Sequence, residues 1–411
     1  MKSSYPLLAA LLICWPAFPS SAQLAVRAQM LYPMTGDGTP VENGVVLCGP
    51  DGKIRQVGPA AEVTIPEGWE VIEAAVALPG LIDARTAAGM SGVLNWPRMD
   101  QEQFETSAPL QPELRALDAY NGRDPLVQFL RELGITTIHT GHSAGALISG
   151  QTMIVKTDID TLTRPEHTLS PFFGIAATLG SAGFGEEKKP PGTRGKSMAM
   201  LRTELIRAHE YLDKLERAEP DKKPGRDLHF EALGAVLRKE VPLLVSADRH
   251  QDIAAALRLQ SEFGFRLVLD SAAEAYLLLD EIKTAGIPVL VHPVMARAEG
   301  DRENLTFTLP AKLQEAGIPF AFQSGYESYV PKTRVVLFEA AMAVAHGLPR
   351  VKALEALTLG AAQILGVEGR IGSLAPGRDA DLALYNGDPL ETTTHCTAVI
   401  IDGKTVSTTP R

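Results

Sequence analysis

One phrase recurs along the middle of the chain and limits what it can fold into. A helical stretch closes on Gly, a short β-rich run follows, and the run ends on a polar residue. It reads "LGITTIHTG" at 133–141, "FGFRLVLDS" at 263–271, "AGIPVLVHP" at 285–293 and "AGIPFAFQS" at 316–324; "EVPLLVSAD" at 240–248 fits without the Gly. Gly after a helix supplies left-handed backbone, and a short continuous apolar run suits a strand covered on both faces. Helix then resumes, as in "QDIAAALRLQSEF" at 251–263. With "LPGLIDARTAAG" at 78–89, six such strands are visible, which suits a (β/α)8 TIM-type barrel of the α/β class. A doubly wound sheet is the alternative, but no Gly-rich phosphate loop follows any strand.

The flanks differ in kind. Residues 23–77 carry short strands and turns such as "GVVLCGPDGKIRQVG", and residues 371–411 do the same in "IGSLAPGRDADLALYNGD" and "AVIIDGKTV". Two β-rich ends around a barrel at 78–370 predict one small composite β-sandwich built from both termini. "GFGEEKKPPGTRGKS" (183–197) and "ERAEPDKKPGRD" (216–227) read as solvated loops, the first near the barrel mouth.

The chain has 411 residues, 45% hydrophobic and 21% charged, an ordinary globular composition. A formal charge of −10 with no Lys/Arg-rich run argues against a nucleic-acid partner. At the N-terminus, Lys2, the apolar run "YPLLAALLICWPAF" and "PSSA" form a signal peptide. Ser20 and Ala22 predict cleavage before Gln23, so the mature chain is expected to be exported, periplasmic or secreted. Ile13 is too bulky to precede a lipidated Cys14, and no later run is long enough to span a bilayer. Cys48 and Cys396 remain; they read as separate buried thiols, with a disulfide between them as the open alternative.

Several segments, in order, resemble the amidohydrolase superfamily, specifically its exported imidazolonepropionase-like branch. "LPGLIDA" is similar to its first barrel strand, and "PELRALDAYNGRDPL" and "LISGQTMIVKT" to the segments around the second. "PKTRVVLFEAAMAVAHGLP" and "ALTLGAAQILG" resemble its last helices, and "IGSLAPGRDADLALYNGDPL" with "VIIDGKTV" its returning sandwich. The resemblance implies hydrolysis of carbon–nitrogen bonds other than peptide bonds. One or two divalent metals such as zinc, held by His and carboxylate side chains at the strand ends, would activate water, and an aspartate after strand eight would move its proton.

The positions that should carry this chemistry do not. Where relatives have His-x-His after strand one, this chain has Arg85 and Ala87; Arg85 is a permanent cation and Ala87 donates no electron pair. The ligand lysine aligns loosely with Ala176, the histidine pair after strand five with Ser246 and Asp248, and the histidine after strand six with Ser271. The catalytic aspartate aligns with Gly325, after Ser324. No metal or other cofactor is therefore expected.

Other chemistry-bearing residues lie near the strand ends. Asp248, Asp270 and His292 are the catalytic candidates for a rebuilt site, with His250 close by; each also has a structural reading, the aspartates as helix caps and His292 as a mouth filler. Ser246, Ser271 and Ser324 are candidate pocket residues or nucleophiles, without a G-x-S-x-G elbow. His142, after His139 in "IHTGHSAG", is a candidate ligand contact. Arg85 should pair with Asp248 or Asp270, or else bind an anionic ligand such as a carboxylate. The expected role is a binding or partner protein with a degenerate metal site, taking a small molecule, self-associating, or pairing with an active relative. The alternative is an active hydrolase of C–N bonds using a rebuilt or metal-free site.

Overall fold

The computed structural model describes residues 23–93, 101–158, 165–185, 189–327 and 332–411. The segment read as a signal peptide lies outside them. Strands β1 (Leu24–Leu31), β2 (Val41–Cys48), β3 (Ile54–Pro59) and β4 (Glu70–Pro79) open the described chain. Then follow β5 (Leu81–Thr86), β6 (Ile135–Gly141), β7 (Ile148–Lys156) and β8 (Thr168–Thr178). The second half of this set is β9 (Leu243–Ser246), β10 (Leu267–Ser271), β11 (Val289–Val291) and β12 (Phe320–Phe322). β13 (Leu382–Tyr385), β14 (Cys396–Ile401) and β15 (Lys404–Ser407) complete the strands.

β5 to β12 form one eight-stranded sheet in chain order, and a parallel bridge between Thr86 and Gly325 brings its two edges together. Gly325 N–H donates to the Arg85 carbonyl at 3.0 Å across that seam. The expected barrel is present, with one strand reversed: β7 pairs antiparallel with both β6 and β8. A reversed strand needs no crossover helix before it, which is why no Gly-closed helix announces β7. Before β10, β11 and β12 the glycine punctuation holds. The helices α1 (Ala116–Ala119), α2 (Pro125–Glu132), α3 (Arg194–Arg217) and α4 (Leu228–Leu237) precede β9. α5 (His250–Phe263), α6 (Leu279–Ala285) and α7 (Leu309–Ala316) each end on a left-handed glycine, Gly264, Gly286 and Gly317, and a barrel strand follows. α8 (Val336–Ala345), α9 (Arg350–Ala356) and α10 (Leu359–Leu365) lead back to the second sheet.

Strand alternation sorts the barrel's side chains. Leu243, Val245, Leu267, Leu269, Val289, Val291, Phe320 and Phe322 join the apolar cluster that includes the surrounding helices. Leu244, Val268, Leu290 and Ala321, one residue out of phase, cluster instead with Ile82, Ala84, Ile154 and Phe173. These are the inward positions. Two residues further along the same strands stand Ser246, Asp270, His292 and Gln323. The apolar inner layer thus gives way to a polar one at the strands' carboxyl ends.

The remaining strands make a seven-stranded sheet, ordered β15-β14-β13-β4-β1-β2-β3, with residues from both ends of the chain. It is joined to the barrel by a buried ion cluster. Lys156, at the end of β7, is fully buried with its ammonium 2.8 Å from Asp379, 2.9 Å from Asp381 and 2.6 Å from Asp402. Asp379 also takes Lys53 and Arg370, and His167 lies 2.9 Å from Asp402. Cys48 and Cys396 are both buried and both free. They belong to different apolar clusters, and burial pushes each thiol up to about 12, so they sit as inert thiols. Among the described residues no helix is long and apolar enough to cross a membrane.

Removing one partner of a buried ion cluster leaves its opposite charges uncompensated. Lys156→Met should therefore lower the unfolding free energy by about 3–5 kcal/mol, read as a reduced urea midpoint.

Candidate functional site

The polar layer forms the floor of a cavity of about 740 Å³ at the carboxyl ends of the strands. Arg85, Ser246, Asp248, Asp270, Ser271, His292 and Gly325 all line it. The floor is knitted across strands: the Asp270 carboxylate accepts from Ser246 Oγ and from Gln323 Nε2, each at 2.5 Å. Ser271, at a φ of 71°, lies 2.7 Å from Asp248 Oδ1 and 2.6 Å from the His292 carbonyl through its hydroxyl. Asp248 takes the Arg302 guanidinium at 3.1 Å on its other oxygen. Burial raises the Asp248 carboxyl, and Arg302 and Ser271 pull against that rise.

Arg85 is 4% exposed, yet its expected ion pair does not form. Neither Asp248 nor Asp270 reaches it at ion-pair distance, because Arg302, arriving from the loop after β11, claims the first, and Ser246 and Gln323 hold both oxygens of the second. One guanidinium nitrogen, Nη2, donates to the His142 carbonyl; the other, Nη1, is buried and meets no acceptor among the described residues. Burial works against this charge, while the nearby carboxylates of Asp270 and Asp83 favour it. The guanidinium in turn disfavours protonation of its neighbours. Burial and Arg85 together lower His142 to about 4 and hold His139 well below its ordinary value. The His142 ring is packed behind the floor and does not line the cavity; its backbone is what Arg85 uses. His139 is fixed by a 2.6 Å contact of Nδ1 with the Ala84 carbonyl.

Ser324 lies beneath the floor rather than on it. Its N–H donates to Asp83 Oδ1 at 2.9 Å and its hydroxyl donates to Asp83 Oδ2, with Thr86 Oγ1 2.8 Å away. A hydroxyl buried and held in this way is a poor nucleophile; it fastens β12 to β5. Burial pushes the Asp83 carboxyl up to about 7 against these hydrogen bonds. His250 stands at the start of α5, where it meets Glu274 at 2.7 Å, outside the cavity.

His292 is buried, and neither of its ring nitrogens meets a hydrogen-bond partner among the described residues. Burial, with Arg302 and Arg334 nearby, keeps the ring neutral. Glu327 is 3.9 Å from Nε2 but is engaged by Arg334. The ring occupies the space into which a side chain at 325 would grow: a Cβ on Gly325, whose φ is 63°, would overlap the imidazole. The aspartate expected at 325 is thus missing together with the room for it. Gln323, Arg302, Arg334 and Asp83 escaped sequence reasoning. Gln323 alone carried a signal, its place two residues past an inward apolar position.

These residues do not fit a divalent metal. Arg85 places a permanent cation on the floor, Ala87 is buried without a donor, and both Asp270 oxygens are occupied. Among the described residues no group of three or more His, Cys, Asp or Glu side chains could hold a metal ion.

A barrel with a polar cup at its strand ends, beside a sheet from both termini, is an architecture this chain shares with an amidohydrolase of known structure. Residues 245–407 match the amidohydrolase family model. The crystal structure of an amidohydrolase from Thermotoga maritima MSB8 superposes with a TM-score of 0.86 at 28% identity, covering 94% of this chain and all of that one (100%). The curated protein Amidohydrolase tasK of Hapsidospora irregularis is 26% identical over 408 residues and covers 88% of this chain; the chain spans 39% of that relative's length. Atrazine chlorohydrolase TrzN from Arthrobacter aurescens TC1, complexed with zinc, shares the fold at a TM-score of 0.55 and 16% identity, over 93% of this chain and 94% of its own. By sequence and fold the chain is similar to members of the amidohydrolase superfamily.

Two outcomes follow from this geometry. Gly325→Asp should destabilise the fold by about 2–4 kcal/mol, from overpacking against His292 and from the left-handed backbone, and adding His292→Gly should recover part of the loss in thermal midpoint. Asp83 binds its proton more tightly folded than unfolded, since its folded pKa is raised from 3.8 to about 7. Its contribution to stability is therefore lost as pH rises through that window, and Asp83→Asn should flatten the decline in chemical-denaturation curves taken between those two pH values.

Proposed function

We propose that this protein uses the amidohydrolase barrel to bind a small molecule at the strand ends, without metal-dependent hydrolysis of C–N bonds. The observation that carries the reading is the buried Arg85 guanidinium on the cavity floor, with one nitrogen unpaired where the fold's hydrolytic members need lone pairs. Ala87, Ser271 and Gly325 support it, since none supplies a ligand of the kind the chemistry requires. The cup nonetheless keeps its depth and its ordered polar lining, which a purely structural subunit would not need.

Elemental analysis after incubation with zinc and dialysis into metal-free buffer tests this directly. The expected result is well below one metal per chain, with no chelator-sensitive amidase activity. Stoichiometric zinc, manganese or iron whose removal by chelator also removes hydrolysis would overturn it. We also propose that the chain is exported, supported by its apolar N-terminal run and small-residue cleavage site. Mass spectrometry of the mature protein should then give a chain beginning at Gln23.

A further inference from the structure

The sheet built from both ends of the chain limits what processing can leave at its start. β1 is an inner strand of that sheet, antiparallel to β2 on one side and parallel to β4 on the other. Its first residue, Leu24, already pairs with Cys48 and Glu70, and its side chain is 2% exposed. Gln23 lies just outside the strand and is exposed. Its carbonyl accepts from the Glu70 N–H at 3.0 Å, and its side-chain amide meets no hydrogen-bond partner among the described residues. A cut after Ala22 thus leaves one residue ahead of a buried strand, and that residue is a glutamine whose side chain can turn back on its own amine.

We propose that Gln23 is a modification site: as the mature N-terminus it closes to a pyroglutamyl lactam, so that the exported chain carries no free α-amine. This rests on the export and cleavage reading given above. In the step, the α-amine nitrogen attacks Cδ of the side-chain amide and a new C–N bond forms. The Cδ–Nε2 bond breaks, and the departing nitrogen takes the proton that the amine gives up and leaves as ammonia. No oxidant, metal or second substrate enters. Nucleophile and carbonyl belong to one residue, so the reaction is unimolecular and closes an unstrained five-membered ring. An α-amine titrates near neutrality, so its lone pair is available under ordinary conditions. The main-chain carbonyl held by Glu70 takes no part, and β1 keeps its pairing while the ring closes. The lactam denies an aminopeptidase the amine it needs. The next residue such an enzyme would remove is Leu24, which holds the start of β1 between its two neighbours.

The test is intact mass spectrometry of the full chain, expressed with its own residues 1–22, recovered from the exported fraction and measured before any digestion. The expected mass is that of a chain starting at Gln23 less one ammonia. Fragmentation should place the loss on residue 23, within the peptide that ends at Arg27. Gln23→Asn, whose shorter side chain could close only a strained four-membered ring, should keep its full mass and its free amine. A chain that starts at Gln23 and still has its full mass after incubation at neutral pH overturns the lactam and leaves the export reading standing. An ammonia loss that persists in Gln23→Asn lies elsewhere in the chain and overturns it too. A chain that keeps Met1, or starts at any other residue, sinks both readings together.

Discussion

A guanidinium taken out of water at the bottom of a cup is the constraint around which the site is arranged. Arg85 cannot shed its proton to escape the cost of burial, so the surroundings adapt instead. The His142 carbonyl turns toward it, and burial together with this fixed charge disfavours protonation of two nearby imidazoles. The carboxylates of Asp83 and Asp270 lie close enough to favour the charge without closing on it. A floor built to hold a divalent cation would need the opposite arrangement, with lone pairs converging on an empty centre.

The side chains of the floor are structurally coupled. His292 fills the space beside Gly325, so an acid could not be placed at that position without moving the ring. Asp270, the floor's best remaining carboxylate, is committed to Ser246 and Gln323 and serves as a cross-strand tie between β9, β10 and β12. Ser246, Asp270, Ser271 and His292 each have a packing or bonding duty on the floor, and changing one would disturb its neighbours.

Much of the barrel was legible in the sequence because its signals are local. Gly264, Gly286 and Gly317 end helices for a steric reason that any reader can apply, and β10, β11 and β12 follow each in turn. β7 and β8 were hidden because, among the described residues, no α-helix lies between β6 and β7 or between β7 and β8 to mark them. The polar layer at Ser246, Asp270 and His292 was legible from two-residue alternation, and so was the absence of donors at Arg85 and Ala87. The partner of Arg85 was not. That choice turned on Arg302 and Gln323, which reach the site from a loop and from a distant strand, and no periodicity relates such positions.

The ion cluster at the far end of the barrel gives the chain a direction of completion. Lys156 is made midway along the polypeptide, whereas its three acids, at 379, 381 and 402, are all made near the end. Until those last residues emerge, the ammonium lacks these three acids, so the buried cluster is completed only as synthesis nears its end. A chain interrupted before Asp379 lacks all three of the acids that the finished fold gathers around Lys156.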